Sequence, residues 1–406
     1  MRVAHVITRM ILGGAQENTL LNCEDLLREH GDDVLLVTGP PLGPEGSLLE
    51  RATAHGVPTT IIPEMRREIH PLRDATAYRH VRRVLADFRP DVVHTHSAKA
   101  GILGRAVARA LGVPAIIHTV HGAPWHPYQN AAARRFYQVC ERWAARRTDA
   151  FICVADAMTD LMVTAHIAPR EAFTTIYSGM EVEPFLAADE HRAHMRGQLG
   201  YTDEHIVVGK IARLFHLKGH EYLIAAAERV VARDPRVRFL LVGDGILRGE
   251  LAADIARRGL SDKFHFAGRV PPTEIPAYLG AMDMLAHTSL REGLARTLPQ
   301  ALLAGKPAIS FDIDGAREVV QTGETGYLLP PESLEPLADA ILALAADPAL
   351  RQRLGSAGRA RCIERFDHRH MTREIRRVYE RVLGQSRGGV NGNSHASDDA
   401  EDRDGH

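Results

Sequence analysis

The chain has 406 residues, of which 45% are hydrophobic and 25% are charged, and its formal net charge is −1. This length exceeds what one hydrophobic core usually serves, so two domains are expected. The balanced charge argues against a dedicated nucleic-acid binder, which usually carries a basic surface. The four cysteines form no CxxC pair, which argues against a zinc cage or a disulfide framework and fits a reducing compartment.

The N-terminus lacks the features of a secretory signal. Residues 3–7 form a short apolar run that ends at Thr8 and Arg9, which indicates a first buried strand rather than the longer apolar core of a signal peptide. No stretch approaches the ~18 uninterrupted apolar residues of a membrane span. We therefore expect a cytoplasmic protein.

In the first half of the chain, short apolar runs alternate with helix-length segments such as 15–30 and 75–88. The runs are apolar nearly throughout, which is typical of strands buried on both faces of a parallel sheet. Repeated strand-then-helix units predict a doubly wound α/β sheet. The predicted strands are Val3–Ile7, Val34–Val37, Thr59–Ile62, Val92–Thr95, Ile116–Val120, Ala150–Val154 and Thr174–Tyr177.

The same pattern restarts near residue 206, after a polar connector over Glu181–Gly200. The fold class is therefore predicted to be α/β, with two tandem Rossmann-like domains, residues 1–185 and 205–362, facing a central cleft. The strands of the second domain are predicted to be Ile206–Ile211, Phe239–Val242, Phe264–Ala267, Met284–His287, Ala308–Phe311 and Gly326–Leu329.

Two further features follow the second domain. Residues 363–384 are predicted to form a helical segment that can pack on either domain, because five apolar residues fall near one helical face. From Gln385 the composition shifts to Gly, Ser, Asn and Asp, which predicts a disordered acidic tail over 385–406. The five apolar residues are Met371, Ile375, Val378, Tyr379 and Val382.

Gly13 and Gly14 follow the first strand and open a helix. Paired glycines let the backbone approach a ligand closely, and a helix N-terminus favours an anionic or sugar-like group. The alternative is a plain strand–helix turn. The pair lacks the GxGxxG spacing, which lowers the case for a dinucleotide site.

Arg213 and Lys218 directly follow the first strand of the second domain. Ligands of open α/β sheets bind at the carboxyl ends of the strands. A planar guanidinium and an ammonium together suit a diphosphate. The alternative is two solvated loop cations.

Glu292 lies just before a predicted helix, and Gly293 allows a ligand to approach closely. Gln300 is eight residues further on, about two helical turns, so both side chains can address one pocket. The carboxylate would hold hydroxyl groups, and the N–H groups of Leu294 and Ala295 would hold a phosphate.

Six motifs occur along the chain in the order GGAQ, HTH with TVHG, ARLFHLKG, LVGDG, FAGRV and REGLARTLPQALLAGKP. In this order and spacing the chain resembles the retaining glycosyltransferases of family four, which have the GT-B fold. The resemblance covers residue 1 to about residue 384. It implies transfer of a sugar from a nucleotide diphosphate sugar, as substrate, to an acceptor, with retained anomeric configuration and with neither an essential metal nor a cofactor.

The resemblance implies roles for residues of the first domain. Gly13 and Gly14 would approach the donor phosphate and sugar, and His121 would contact the donor sugar near the reacting centre. The residues expected on the acceptor side are Gln16, His96 and Lys99.

The resemblance also implies roles for residues of the second domain. Arg213 and Lys218 would neutralise the leaving diphosphate, and Glu292 would hold a hydroxyl of the donor sugar. A turn at 243–245 would lie beside the nucleotide, and residues 269 and 270 beside the base. The donor-binding residues expected there are Gly243, Asp244, Gly245, Arg269, Val270, Gly293, Leu294, Ala295 and Gln300.

Two positions depart from the family pattern. Gln300 stands where the family places a second Glu that usually grips the ribose, and an amide carries no charge. We therefore expect weaker or altered ribose binding with the reaction class unchanged. Ala295 stands where Gly or Pro is frequent, so the shape of the sugar pocket is expected to differ.

The expected mechanism is substitution on the front face of the sugar. Arg213 and Lys218 would stabilise the leaving diphosphate electrostatically. A double displacement needs a carboxylate close to the anomeric carbon, and Glu292 is better interpreted as a hydroxyl anchor. A leaving phosphate oxygen would then take the proton of the acceptor.

Several of the 22 histidines cluster around two adjacent strand ends. Imidazoles can converge on a metal there, but no carboxylate or Cys joins them and the sequence contains no HExxH, so no metal site is predicted. His94 and His118 alternate with their neighbours along strands and are interpreted as packed or capping residues. The clustered histidines are His94, His96, His118, His121 and His126.

The segment Ala131–Arg147 mixes arginines with Phe136, Tyr137, Val139 and Trp143. A basic, aromatic, amphipathic helix can lie on an anionic membrane, so peripheral contact at the inner face of the cytoplasmic membrane is one prediction. A core-packed helix with a solvated basic face is the other.

Alternatives to the transferase hypothesis remain at this point. A sugar phosphorylase or a nucleotide-sugar epimerase of the same architecture would use the same cations and carboxylate, and Gln300 leaves room for a nucleotide-sugar-binding protein with weakened turnover. A NAD-dependent dehydrogenase is disfavoured by the missing GxGxxG. UDP-sugars are favoured as donors on family frequency, with acceptors from polysaccharide, lipid-linked oligosaccharide or glycolipid synthesis.

Overall fold

The computed structural model describes residues 1–43 and 46–391, with the backbone alone for 387–391. The chain divides into two compact units. Among the described residues, the first contains residues 1–154, 159–176 and 371–391, and the second contains residues 155–158 and 177–370. The second unit thus begins at Tyr177, ahead of the predicted domain end at residue 185.

The first unit is built on a seven-stranded parallel sheet in the order β3-β2-β1-β4-β5-β6-β7. All seven strands predicted for this half are confirmed. The strands inside the sheet have buried central residues, because helices cover both sides of the sheet, whereas the two edge strands are only partly buried. The strands are β1 (Arg2–Arg9), β2 (Asp33–Gly39), β3 (Thr59–Ile61), β4 (Val92–His96), β5 (Ala115–Val120), β6 (Ala150–Cys153) and β7 (Phe173–Thr175).

The helices of the first half follow the predicted strand–helix alternation. Asn130 shows the capping chemistry, since its side chain accepts a 2.8 Å hydrogen bond from the N–H of Ala133 and so begins α5. The helices are α1 (Gly14–Arg28), α2 (Leu49–Ala54), α3 (Pro71–Phe88), α4 (Ala98–Ala110), α5 (Ala131–Ala145) and α6 (Asp156–Thr164).

The second unit is built on a six-stranded parallel sheet in the order β10-β9-β8-β11-β12-β13. All six predicted strands are again confirmed, so both halves are doubly wound α/β sheets. The strands are β8 (Ile206–Ile211), β9 (Val237–Val242), β10 (Phe264–Gly268), β11 (Met284–His287), β12 (Ala308–Phe311) and β13 (Gly326–Leu329).

Two short helices lie in the segment predicted as a polar connector. The remaining helices of this half cover the second sheet, and the last of them leads back to the first unit. None of the helices in the described part of the chain has the length and apolar character that crossing a membrane requires. The helices are α7 (Glu183–Leu186), α8 (Arg192–Gln198), α9 (His220–Arg233), α10 (Arg248–Arg257), α11 (Ile275–Ala281), α12 (Thr297–Leu303), α13 (Leu334–Ala346), α14 (Pro348–Arg365) and α15 (His368–Asn391).

The last helix, α15, returns to the first unit. Its buried face packs against the core formed by α1 and strands β1, β4 and β5, so the sequence-derived helix is confirmed and its partner is the first domain. The helix runs past Gln385, where the sequence predicts disorder to begin, and residues 392–406 of the predicted tail lie outside the described residues. The buried face consists of Met371, Ile375, Val378, Tyr379 and Val382.

Candidate functional site

A cluster of histidines lies where the strand order of the first sheet reverses, between β1 and β4. In the parallel register of these strands His5 is opposite His94, and His96 lies two residues further along β4 on the same face. All three side chains are buried, with His5 and His94 fully inaccessible and His96 1% exposed. Ligands of open α/β sheets bind at such reversal points.

The rings of His5, His96 and His121 form a continuous chain. Nδ1 of His5 lies 3.0 Å from Nε2 of His96, and Nδ1 of His96 lies 3.1 Å from Nε2 of His121. Burial lowers the pKa of His5 to about 3. Burial also lowers the pKa of His96 well below its ordinary value, and the neighbouring imidazoles lower it further, so both rings are neutral at physiological pH.

His94 has a different role from the other two buried histidines. Its Nδ1 lies 2.5 Å from the hydroxyl of Tyr379 on α15 and its Nε2 lies 2.6 Å from that of Thr119. Within the described part of the chain, ring nitrogens of His5, His94 and His96 lie within 4.8 Å of one another. A metal at that point would take one ring nitrogen of each histidine, so His94 would give up one of its two hydroxyl partners and His96 one of its two imidazole contacts. The donor set therefore fits hydrogen bonding better than metal binding.

The predicted acceptor-side residues fall in different environments. His96 is 1% exposed and lies between the imidazoles of His5 and His121, and its place on the acceptor side stays a prediction. Lys99 donates a 2.6 Å hydrogen bond to Asp74 and is 12% exposed. The carboxamide oxygen of Gln16 packs against Gly13 and lies 2.7 Å from the position that a Cβ at residue 13 would occupy. The carbonyl of Gly13 accepts the first hydrogen bond of α1, which the N–H of Glu17 donates.

The corresponding reversal point of the second sheet lies between β8 and β11, and a charged cluster follows it. Lys218 donates a 2.5 Å hydrogen bond to Oε1 of Glu292, and Nε2 of His287 lies 3.6 Å from the same oxygen. Burial opposes the charge on Glu292, but Lys218 and His287 outweigh it and hold the pKa of that carboxyl well below its usual range. Asp314 fixes the backbone at this point by accepting a 2.7 Å hydrogen bond from the N–H of Glu292.

Lys210 lies beneath this cluster, on β8. Its ammonium nitrogen is 2.8 Å from the hydroxyl of Thr288, whose own hydrogen bond goes to the carbonyl of Gly219 at 2.5 Å. The side chain is 1% exposed. Burial, assisted by the nearby charge of Lys218, lowers the pKa of Lys210 to about 7.

The loop that carries Lys218 is constrained on both sides of that residue. Leu217 adopts a left-handed conformation with φ 64, and Gly219 adopts φ 65. A Cβ at Gly219 would lie 1.8 Å from the carbonyl oxygen of Thr288, so this position requires glycine. The carbonyl of Leu217 accepts a hydrogen bond from the N–H of Leu290 at 2.9 Å, which ties this loop to the one that carries Glu292. A strained non-glycine residue held by its surroundings is a common feature of functional sites.

The predicted turn at 243–245 contacts the same loop region. Gly243 has φ 136, and a Cβ there would lie 2.1 Å from the carbonyl oxygen of Ala212. The carbonyl of Asp244 accepts a 3.0 Å hydrogen bond from the N–H of Leu214. A Cβ at Gly245 would lie 2.4 Å from the carbonyl oxygen of Leu214, so both glycines permit close approach of two backbone segments.

The remaining predicted donor-binding residues also lie in the second unit. Arg213 is exposed, with its guanidinium 5.1 Å above the ring of Phe215. Arg269 is exposed, Val270 packs against the apolar core, and Ala295 is 6% exposed. Gly293 accepts a 3.3 Å hydrogen bond from the N–H of Gly315. The side chains of Leu294 and Gln300 are partly buried.

Four residues that the structure places in these two clusters were not predicted from the sequence. His5 lies within an apolar strand with nothing to distinguish it, although its position opposite His94 follows from the parallel register of β1 and β4. Lys210 carries the clearer signal, because a lysine inside a buried strand is rarely left unpaired. His287 and Asp314 emerge only from tertiary contacts with Glu292.

Two family models match the chain. The model described as "Glycosyl transferase 4-like domain" matches residues 14–179, and the one described as "Glycosyl transferases group 1" matches residues 192–361. Each model covers most of one structural unit, and the second includes Arg213, Lys218, Glu292 and Gln300.

Curated relatives span most of the chain. It is 27% identical over 353 residues to the UDP-Gal:alpha-D-GlcNAc-diphosphoundecaprenol alpha-1,3-galactosyltransferase of Escherichia coli, covering 86% of this chain and 89% of that protein. It is 28% identical over 292 residues to the 2-deoxystreptamine glucosyltransferase of Streptomyces kanamyceticus, covering 70% of this chain and 75% of that protein.

Solved structures share the fold of both units. The Anabaena protein HepE in complex with UDP superposes with a TM-score of 0.79 at 22% identity, covering 94% of this chain and 100% of that one. The sucrose-phosphate synthase of Thermosynechococcus elongatus superposes with a TM-score of 0.80 at 20% identity, covering 95% of this chain and 100% of that one.

Proposed function

Because the chain belongs to the group 1 glycosyltransferases of the GT-B fold, we propose that it transfers a hexose from a UDP-sugar with retention of configuration and without a metal ion. The acceptor proposed is a lipid-linked saccharide or another intermediate of surface polysaccharide or glycolipid synthesis. UDP is supported by the E. coli relative, whose name gives UDP-Gal and a diphosphoundecaprenol-linked sugar as its substrates, and by the UDP complex of HepE.

The ion pair between Lys218 and Glu292 carries this proposal. It lies after the two strands at which the order of the second sheet reverses, where α/β sheets bind ligands. Lys218 and Arg213 would supply positive charge to a diphosphate leaving group, and such electrostatic stabilisation is usually the largest catalytic contribution. Two fixed cations perform the charge neutralisation for which other transferases use a metal ion, so the proposed reaction proceeds without one.

Glu292 suits a role as a hydroxyl anchor. Its carboxylate remains ionised because Lys218 and His287 lower its pKa despite burial, and a weakly basic carboxylate accepts hydrogen bonds from sugar hydroxyls without taking their protons. Within the proposal, the acceptor oxygen forms its bond to the anomeric carbon on the face from which the leaving group departs. The bond from that carbon to the β-phosphate oxygen breaks, and a phosphate oxygen of the leaving UDP takes the acceptor proton.

A basic aromatic surface on α5 supports action at a membrane. Phe136, Val139 and Trp143 recur at helical spacing and are 50%, 52% and 42% exposed. The guanidinium of Arg147 lies 3.7 Å above the Trp143 ring, and Arg146 beside it is exposed. Aromatic and cationic side chains on one exposed helix favour the interface of an anionic bilayer, so we propose that this surface brings the enzyme to a lipid-linked acceptor.

Release of UDP tests the proposed reaction. The protein would be incubated with UDP-galactose, UDP-glucose, GDP-mannose and ADP-glucose in turn, with EDTA present and then with added magnesium. We expect release from a UDP-sugar that EDTA does not reduce, and an α-anomeric signal in the NMR spectrum of any transfer product. A requirement for free phosphate would instead identify a phosphorylase, and binding of UDP without any turnover would identify a nucleotide-sugar-binding protein.

Vesicle sedimentation tests the membrane surface. Wild-type protein should sediment with vesicles containing anionic phosphatidylglycerol and remain in the supernatant with neutral phosphatidylcholine vesicles. Trp143→Ala combined with Phe136→Ala should reduce sedimentation. Leu72→Ala is the matched control, since Leu72 is a 78% exposed apolar residue on α3 of the same unit. Equal losses in both variants would contradict the assignment of the membrane contact to α5.

A further inference from the structure

The chain of imidazoles in the first unit ends inside the protein at His5. Nδ1 of His5 contacts His96, and its Nε2 is completely buried and has no hydrogen-bond partner among the residues that the structure describes. The two ring nitrogens of His5 therefore differ in their partners. A neutral imidazole carries one N–H and one lone pair, so each contact between two imidazoles needs a donor on one ring and an acceptor on the other.

Two directions of donation are possible along the chain. If His121 donated to His96 and His96 to His5, the remaining N–H would lie on Nε2 of His5, buried without an acceptor. If His5 donates to His96 and His96 to His121, Nε2 of His5 holds a lone pair instead. Orphaned buried N–H groups are rarer in proteins than under-satisfied acceptors, and a buried unsatisfied group destabilises the fold. The burial of His5 therefore selects the second direction.

We infer that His96, oriented by His5, is a positioning residue that donates to Nε2 of His121 and thereby holds the ring proton of His121 on Nδ1. His121 then carries its lone pair toward His96 and its proton on the opposite side of the ring. The inference rests on the proposed function, since it is the role of His121 at the donor sugar that makes its tautomer matter.

The consequence concerns what His121 can do in the reaction. In this tautomer its Nδ1–H can donate a hydrogen bond to a sugar or backbone oxygen, while its acceptor nitrogen is already engaged by His96. His121 is therefore a hydrogen-bond donor and not the general base that deprotonates the acceptor. This agrees with transfer of the acceptor proton to the leaving phosphate.

Nitrogen NMR of the full chain labelled at histidine tests the inference without requiring activity. Signals would be assigned by their loss in His5→Gln, His96→Asn and His121→Gln. We expect the Nδ1–H tautomer for all three rings in the wild type. An Nε2–H tautomer, or a doubly protonated ring, for His121 at neutral pH would overturn the inference.

Paired variants at position 96 supply the kinetic test. His96→Leu removes the donor and should lower kcat for UDP release from the active UDP-sugar by about tenfold with little change in KM, the expected effect of losing one buried hydrogen bond. His96→Asn places an amide N–H near the position of Nδ1 and should restore most of that loss. Equal activity of the Leu and Asn variants would contradict the positioning role.

His118→Leu is the matched control. It removes a buried imidazole on the other face of the same sheet, where His118 contacts the hydroxyl of Thr95 at 2.9 Å, and it should leave the His121 tautomer unchanged. A shift of that tautomer in His118→Leu as large as in His96→Leu would overturn the inference. If the wild type releases UDP from no sugar nucleotide, the proposed function fails while the tautomer measurement still decides this inference.

Discussion

The ammonium of Lys210 on β8 donates a hydrogen bond to the hydroxyl of Thr288, which directly follows β11, over 2.8 Å. This contact links the two strands at which the second sheet reverses its order, directly beneath the Lys218–Glu292 pair. The hydroxyl of Thr288 in turn donates a hydrogen bond to the carbonyl of Gly219, so a buried lysine supports the loop that carries Lys218. The support requires an ionisable group in the interior, which has a measurable consequence for stability.

We predict that Lys210 makes stability depend on pH above neutrality. Its pKa is about 7 in the folded chain and about 10.5 when unfolded, so between these values the unfolded chain binds a proton that the folded chain does not. The free energy of unfolding should therefore rise with pH across this window, by at most about 1.4 kcal/mol per pH unit from this residue.

Lys210→Met isolates this contribution. The variant should be more stable than the wild type at pH 7, and its advantage should shrink as the pH rises to 9.5, as measured by urea unfolding followed by circular dichroism. Lys263→Met is the control in the same unit, because Lys263 forms an ion pair with Asp262 at the surface. A constant difference between wild type and Lys210→Met over this range would show that Lys210 is charged in the folded protein.

Lys218→Ala should reduce turnover by roughly 10²–10³-fold, the effect of removing one fixed charge that stabilises a developing negative charge. The measurement is kcat for UDP release, with the thermal midpoint recorded to show that the fold persists. Lys263→Ala removes a cation of the same unit outside the cluster and should leave kcat unchanged. Near-full turnover in Lys218→Ala would refute the assignment of this lysine to the leaving group.

Gly243→Ala should lower the free energy of unfolding by about 2 kcal/mol or more, because the backbone has φ 136 and the new Cβ would lie 2.1 Å from a carbonyl oxygen. Gly249→Ala is a contrasting control within α10, where an added Cβ meets no described atom within 4 Å. That change should increase the free energy of unfolding by about 0.5–1 kcal/mol, the difference in helix propensity. Equal destabilisation by both changes in urea unfolding would contradict the close backbone approach at Gly243.

The strands could be predicted because their signal is local. Val3–Ile7 is apolar except for His5, Ile206–Ile211 is apolar except for Lys210, and the sheet buries every residue of the two runs but Ile211. The helix that includes Met371 and Tyr379 could also be predicted from its apolar face, but its partner could not. A stripe of apolar residues along a helix predicts that this face is buried, but it does not predict which hydrophobic core the face packs against.

The clusters were only partly predictable, since their contacts join residues far apart in sequence. Lys218 and Glu292 are 74 residues apart, and each was predicted singly from its position after a strand. Their direct ion pair depends on β8 and β11 being neighbours in the sheet. His96 was assigned to the acceptor side because it ends a strand, and its burial beside His5 depends on the register of β1 against β4.

Gln300 stands where the family pattern has a glutamate. Its side chain is half-buried on α12, and its backbone bonds within that helix to Arg296 and Ala304. If the side chain faces the ribose, Gln300→Glu should lower the Kd for UDP by about tenfold, because hydrogen bonds to a charged acceptor are stronger than those to an amide. Isothermal titration calorimetry would measure this change.

The carbohydrate contact can be separated from a general effect of charge. The gain in Gln300→Glu should disappear with 2′-deoxy-UDP if the carboxylate binds the ribose hydroxyls. Gln352→Glu introduces the same charge at an exposed position on α14 of the same unit and should leave the Kd unchanged. Weaker binding of UDP by Gln300→Glu would show that the new carboxylate repels the diphosphate, and would place position 300 nearer the phosphates than the ribose.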